Sequence, residues 1–207
     1  MIKPKEILEN IPNKENTSVQ QEWRLKLDEN ENMYGVSNFI INAIKTMDFE
    51  EISKFPNCEK FIKRLAKKYD LSEKNIILSS TSHECLHNIF NTYLNAGDTV
   101  LSNWSLSEEE ENIIYSQNAS LKNIIYGEEY RFDIDIFAEN INENTKIFYF
   151  STPDFNTGKL IRTPVLEKIV KNYQNILFIF DCSYISYSDN VNIHDYLDLT
   201  KKYDNTI

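Results

Sequence analysis

Asp181 directly follows Ile176-Leu177-Phe178-Ile179-Phe180, so an ionisable side chain stands where a buried strand should surface. Open α/β sheets bind ligands at the carboxyl ends of their strands, and a carboxylate at such a tip needs a partner. That partner can be a ligand group, or simply an arginine or the loop that the aspartate caps. A second group is Ser79-Ser80-Thr81-Ser82-His83, hydroxyls and N–H groups gathered where a helix should begin. This arrangement can hold a phosphate. Serine and threonine are also ordinary N-caps, so capping alone would account for them.

A third pattern, His83-Glu84-Cys85-Leu86-His87, matches H-E-x-x-H, in which two imidazoles on one helical face bind zinc beside a glutamate base. Its context argues against zinc hydrolysis: it opens a helix just after a buried strand, and no persuasive third ligand follows. The acidic run Glu108 to Glu111 reads as a solvated helix face. The two histidines then read as surface residues at a helix start.

The elements that must position these groups follow from apolar spacing. Residues 1–36 are polar and punctuated by Pro4 and Pro12, which predicts an N-terminal arm; the compact domain is expected over 37–207. Phe39, Ile40, Ala43, Ile44 and Met47 recur at helical spacing behind a Ser37 N-cap, and Phe55-Pro56-Asn57 breaks the pattern. Glu59 to Tyr69 predicts an amphipathic helix, Asn75 to Leu78 a short strand, and His83 to Tyr93 a further helix. Thr99 to Leu101 and Lys122 to Tyr126 predict strands on either side of a helix from Glu108 to Tyr115. Ile147 to Phe150 and Ile176 to Phe180 are continuous apolar runs, as parallel strands buried on both faces should be, and Val165 to Tyr173 predicts the helix between them. Repeated βαβ units imply a doubly wound, mostly parallel α/β sheet.

Composition narrows the partners. The formal net charge of −10 repels nucleic-acid backbones and anionic lipid surfaces, although a helix N-terminus can still bind a small phosphate locally. Cys58, Cys85 and Cys182 are odd in number and form no CxxC pair, which fits a reducing cytoplasm rather than a disulfide framework. No apolar run is long enough to span a bilayer, so a membrane partner is not expected.

Five stretches, in order, also resemble a known family. Asp28-Glu29-Asn30-Glu31-Asn32-Met33-Tyr34-Gly35 is similar to an N-E-N-P-Y-G segment, and Phe55-Pro56 stands in the place of a Tyr-Pro. Ser79 to Glu84 resembles a G-x-G-S-D-E phosphate turn, Thr152 to Gly158 looks like N-P-N-N-P-T-G, and Asp181-Cys182-Ser183-Tyr184 is similar to D-E-A-Y. From about Leu27 onward the chain thus resembles class I and II pyridoxal-phosphate-dependent aminotransferases, most closely the histidinol-phosphate branch. The resemblance implies the fold type I large domain, pyridoxal 5'-phosphate as cofactor, and transfer of an amino group from an amino acid to a 2-oxo acid.

Carried over by position, the resemblance puts Thr81, Ser82 and His83 at the cofactor phosphate, Asp181 at the pyridine nitrogen and Tyr184 at the ring hydroxyl. Tyr34 would serve a phosphate across a subunit boundary, which implies a homodimer. The family's ring-hydroxyl asparagine falls on Phe155, with Asn156 one place later, and its stacking aromatic falls near Leu106 or Ser107. The phosphate turn has Ser79 and Thr81 for glycines and His83 for aspartate.

Transamination needs a lysine to hold the cofactor as a Schiff base. In the family it follows the strand whose opening Asn205-Thr206-Ile207 resemble. Lys201 and Lys202 precede that strand and are not assigned the role. The expectation is therefore a large domain incomplete at its C-terminus and inactive alone, either truncated or completed by a second chain. The reading from a different class is a non-catalytic α/β interaction module.

Overall fold

The computed structural model describes residues 30–103, 106–124, 132–189 and 191–207, which fall into two compact units, 30–76 and 77–207. The first holds three helices. In α1 (Asn38–Lys45) the Ser37 hydroxyl accepts from the Ile40 N–H, so the expected cap forms. Next come α2 (Phe49–Ser53), capped by Asp48, and α3 (Glu59–Tyr69), which ends where Asp70 turns left-handed at φ 52°. The apolar spacing of α1 is helical as expected, yet no residue of α1 is buried, and Phe39 is 83% exposed.

The strand expected over Asn75–Leu78 does not form. Asn75 closes a 3-10 turn begun at Glu73, and Ile76–Leu78 join no strand of the sheet. Apolar residues supply propensity, but a strand exists only where a neighbour takes its backbone hydrogen bonds.

In the second unit, α4 (Ser82–Tyr93) leads into β1 (Thr99–Ser102), then α5 (Glu108–Ser116) and β2 (Ser120–Asn123). There follow α6 (Ile134–Asn140), β3 (Thr145–Ser151), α7 (Thr163–Asn172), β4 (Leu177–Asp181) and α8 (Ile193–Lys202). The four strands are parallel in the order β2-β1-β3-β4. Beyond β4, Phe178 bridges Thr206, and the Ile207 N–H donates to the Phe178 carbonyl at 2.9 Å, so the last residues do take a strand position. β2 begins at Ser120, earlier than its apolar run suggested, and Tyr126 lies outside the described residues.

Period-two alternation along the central strands sorts the core into two layers. Val100, Ile147, Tyr149 and Ile179 meet Leu86 and Phe90 of α4 and Ile114 of α5. Leu101, Phe148, Phe150 and Phe178 meet Phe137 of α6, Leu166 and Ile169 of α7, and Leu199 of α8. Helices on both faces make the sheet doubly wound, and burial on both faces explains why β3 and β4 read as unbroken apolar runs. Among the described residues no helix is long and apolar enough to cross a membrane.

Candidate active site

Asp181 ends β4 on the face that carries α4 and α5, because it follows Ile179 by two residues. Its Oδ1 accepts from the Ser183 N–H at 2.9 Å and from the Ser183 hydroxyl. Its Oδ2 accepts from the Tyr149 hydroxyl at 2.6 Å. A carboxylate offers about four lone-pair sites, so these bonds fill Oδ1 and leave one acceptor direction on Oδ2. Tyr149 is 1% exposed. Burial, followed by the charges of Asp181 and Glu110, pushes its phenol far above the usual tyrosine range, so it keeps the proton that it donates to Asp181.

The start of α4 lies on the same face. The Thr81 hydroxyl accepts from the Glu84 N–H at 3.1 Å, which caps the helix. The Glu84 carboxylate in turn takes the Ser80 N–H at 2.6 Å. The N–H groups of Ser82 and His83 have no protein acceptor among the described residues, as the first turn of a helix leaves them. The His83 Nε2 lies 3.8 Å from carboxylate oxygens of both Glu109 and Glu110. Since α5 starts shortly after β1 ends, this contact sets the start of α4 beside the carboxyl end of the sheet.

Glu110 departs from expectation. The acidic run was expected to face solvent, but Glu110 is 6% exposed. The capping box is the cause: the Glu110 carboxylate accepts from the Ser107 N–H at 2.9 Å while the Ser107 hydroxyl accepts from the Glu110 N–H. That folds the third residue of the helix back and inward, and its charge reaches Tyr149. His87, the other histidine of the H-E-x-x-H pattern, contacts Asn91 instead.

The turn after β3 is built on Asp154, whose Oδ1 accepts from the N–H groups of Asn156 and Thr157 and from the Thr157 hydroxyl. Its Oδ2 is buried with no hydrogen-bond partner. Phe155 and Asn156 are exposed in that turn. Asn103 locks the turn's approach by bonding both backbone groups of Ser151, at 3.1 and 3.0 Å. Tyr184 is half-buried just after Asp181, its ring 6.2 Å from that of Tyr187. Leu106 is buried in the α4–α5 layer, and Ser107 is occupied in capping. Tyr34 belongs to the other unit and is fully exposed.

Lys201 and Lys202 end α8, just before the residues that pair with the start of β4, and so sit at the end of the sheet opposite Asp181. Lys202 binds Glu167, which raises the lysine pKa and lowers that of the carboxylate.

Tyr149, Glu110, Asn103 and Asp154 are the residues of this region that sequence patterns did not single out. One signal for Tyr149 was present: it is the lone hydroxyl in Ile147-Phe148-Tyr149-Phe150, on the parity that also carries Ser151.

A doubly wound parallel sheet with a carboxylate and a helix N-terminus at one strand end is an α/β architecture of the fold type I kind. Its solved neighbours include a histidinol-phosphate aminotransferase from Sinorhizobium meliloti in complex with pyridoxal-5'-phosphate (TM-score 0.62, 19% identity, 73% of this chain and 42% of that one). An aspartate aminotransferase from Thermotoga maritima is comparably similar (TM-score 0.61, 20% identity, 75% and 46%). Residues 24–207 match the aminotransferase class I and II family, and the chain belongs to it. Among curated relatives, the histidinol-phosphate aminotransferase of Methanocaldococcus jannaschii is 27% identical over 91% of this chain and 51% of its own length. That of Clostridium novyi is 29% identical over 90% and 52%. The chain thus spans about half the length of the curated relatives it matches.

Proposed function

We propose that this chain carries cofactor-binding residues of a pyridoxal-phosphate-dependent aminotransferase of the histidinol-phosphate type, the whole protein exchanging an amino group between an amino acid and a 2-oxo acid. The observation that carries this reading is Asp181: a carboxylate held by three donated hydrogen bonds, with one acceptor direction left, on the sheet face and end where α4 begins. That open acceptor suits a protonated ring nitrogen, which donates. When bound, the cofactor supplies a heterocycle that draws electrons from the reacting carbon of the substrate.

In this reading Asp181 keeps the ring nitrogen protonated, and the first N–H groups of α4 at Thr81, Ser82 and His83 hold the phosphate. The Glu84 carboxylate beside that turn opposes a phosphate, so binding through this chain alone is weak. Tyr184 and Asn156 flank the ring hydroxyl, and Tyr34 serves the neighbouring site of a homodimer. The covalent lysine is assigned to neither Lys201 nor Lys202.

The test uses pyridoxamine phosphate, which has the ring and phosphate but no aldehyde to react with surface lysines. Calorimetric titration of the folded chain should give saturable binding that weakens at least tenfold in Asp181→Ala. Absence of binding to the folded wild-type chain would favour the non-catalytic interaction module, a reading supported by the exposed apolar residues of α1.

A further inference from the structure

We infer that Tyr149 is the positioning residue for Asp181, its buried hydroxyl fixing the carboxylate so that the remaining Oδ2 acceptor direction is presented to a ligand. This rests on the reading of Asp181 as the partner of a ring nitrogen. In the parallel register Tyr149 lies opposite Ile179 and Ser151 opposite Asp181. Tyr149 is therefore the diagonal neighbour of Asp181 on the same face, one strand over and two residues back. Serine or threonine there is too short to cross that diagonal, and phenylalanine has no donor; tyrosine spans it and makes a 2.6 Å bond.

The ring cannot swing away, because it is enclosed by the α4–α5 layer with Ile147 and Ile179. It cannot lose its proton either, since burial and three nearby carboxylates oppose a phenolate. The other anchor of Asp181 is weaker in kind: Ser183 is exposed and holds only Oδ1. Without the Tyr149 hydroxyl, the half-buried carboxylate keeps only its Oδ1 anchor at Ser183, and the direction of Oδ2 is no longer fixed.

The discriminating experiment compares Tyr149→Phe with wild type for two probes: pyridoxamine phosphate, and the same molecule with CH in place of the ring nitrogen. The variant should bind pyridoxamine phosphate about tenfold more weakly, as loss of a hydrogen bond to a charged group implies. It should bind the CH analogue as wild type does, because that molecule never engages Asp181. Unchanged affinity for pyridoxamine phosphate, or equal weakening for both probes, overturns the positioning role. A wild-type chain that binds both probes equally overturns the Asp181 reading itself, which separates the two failures. One measurement needs no variant: in protein labelled with 13C at tyrosine Cζ, the Tyr149 resonance should move with pyridoxamine phosphate and not with the CH analogue. Identical behaviour with both would also count against the proposal.

Discussion

On the face covered by α6, α7 and α8, the polar groups close upon one another, whereas on the face under α4 and α5 they stay open at one end. The closed set is the Tyr196 hydroxyl, which donates to the Ile161 carbonyl at 2.8 Å and meets the Thr152 hydroxyl at 3.0 Å, while Thr152 accepts from the Ile161 N–H. Every member has its partner inside a layer of Phe137, Phe148, Phe150 and Phe178. The open set is Asp181, Tyr149, Glu110 and Asp154: three carboxylates and one phenol, with acceptor capacity left on Asp181 and a bare oxygen on Asp154. A closed network stabilises a fold and offers nothing to a ligand; an open one gives up stability and leaves a place for a ligand donor.

The widest test of this contrast is Phe148→Ala. Its ring meets Phe137 edge-on at 4.5 Å and is fully buried, so the change should cost about 3–5 kcal/mol in urea unfolding. Tyr196→Phe comes next, at about 1–3 kcal/mol, because the buried Ile161 carbonyl loses that donor. Tyr149→Phe should cost less, about 1 kcal/mol or below, since Asp181 is half-exposed and water can replace the lost hydroxyl. The contrast fails if Tyr149→Phe destabilises the chain more than Tyr196→Phe does.

The smallest effect concerns the exposed pair Glu167–Lys202 at the opposite end of the sheet. Lys202 and Tyr203 hold the Glu167 carboxyl below its ordinary range, so the pair contributes stability above that range and loses it as pH falls through the lowered value. Lys202→Ala should remove this acid-side component, a small change in melting temperature between about pH 2 and pH 6 that vanishes at high salt. A salt-independent effect would mean that packing, not charge, joins the two residues.

Much of the fold was legible from spacing. The helix Glu59–Tyr69 has the bounds its apolar stripe predicted, and β3 and β4 lie where unbroken apolar runs put them. The short helices α2 and α6 leave little trace in the sequence, because few turns carry little periodicity. The segment at Asn75–Leu78 had strand composition and no strand partner. In the candidate site, Asp181 was visible as a charge after five apolar residues and Ser79 to Ser82 as a capping turn, in which the structure makes Thr81 the cap. Glu110 reads as a surface acid in the sequence because a run of four glutamates carries no mark of which one a capping box folds inward.

By itself the sequence determined the alternation of strands and helices, the two-sided burial of β3 and β4, and the placing of a carboxylate at a strand end, since these depend on local order and apolar period. The tertiary structure decided which groups meet that carboxylate. Tyr149 and Asp181 are 32 residues apart and become neighbours only through the register of two parallel strands, which hydrogen bonds between strands establish and no local pattern encodes.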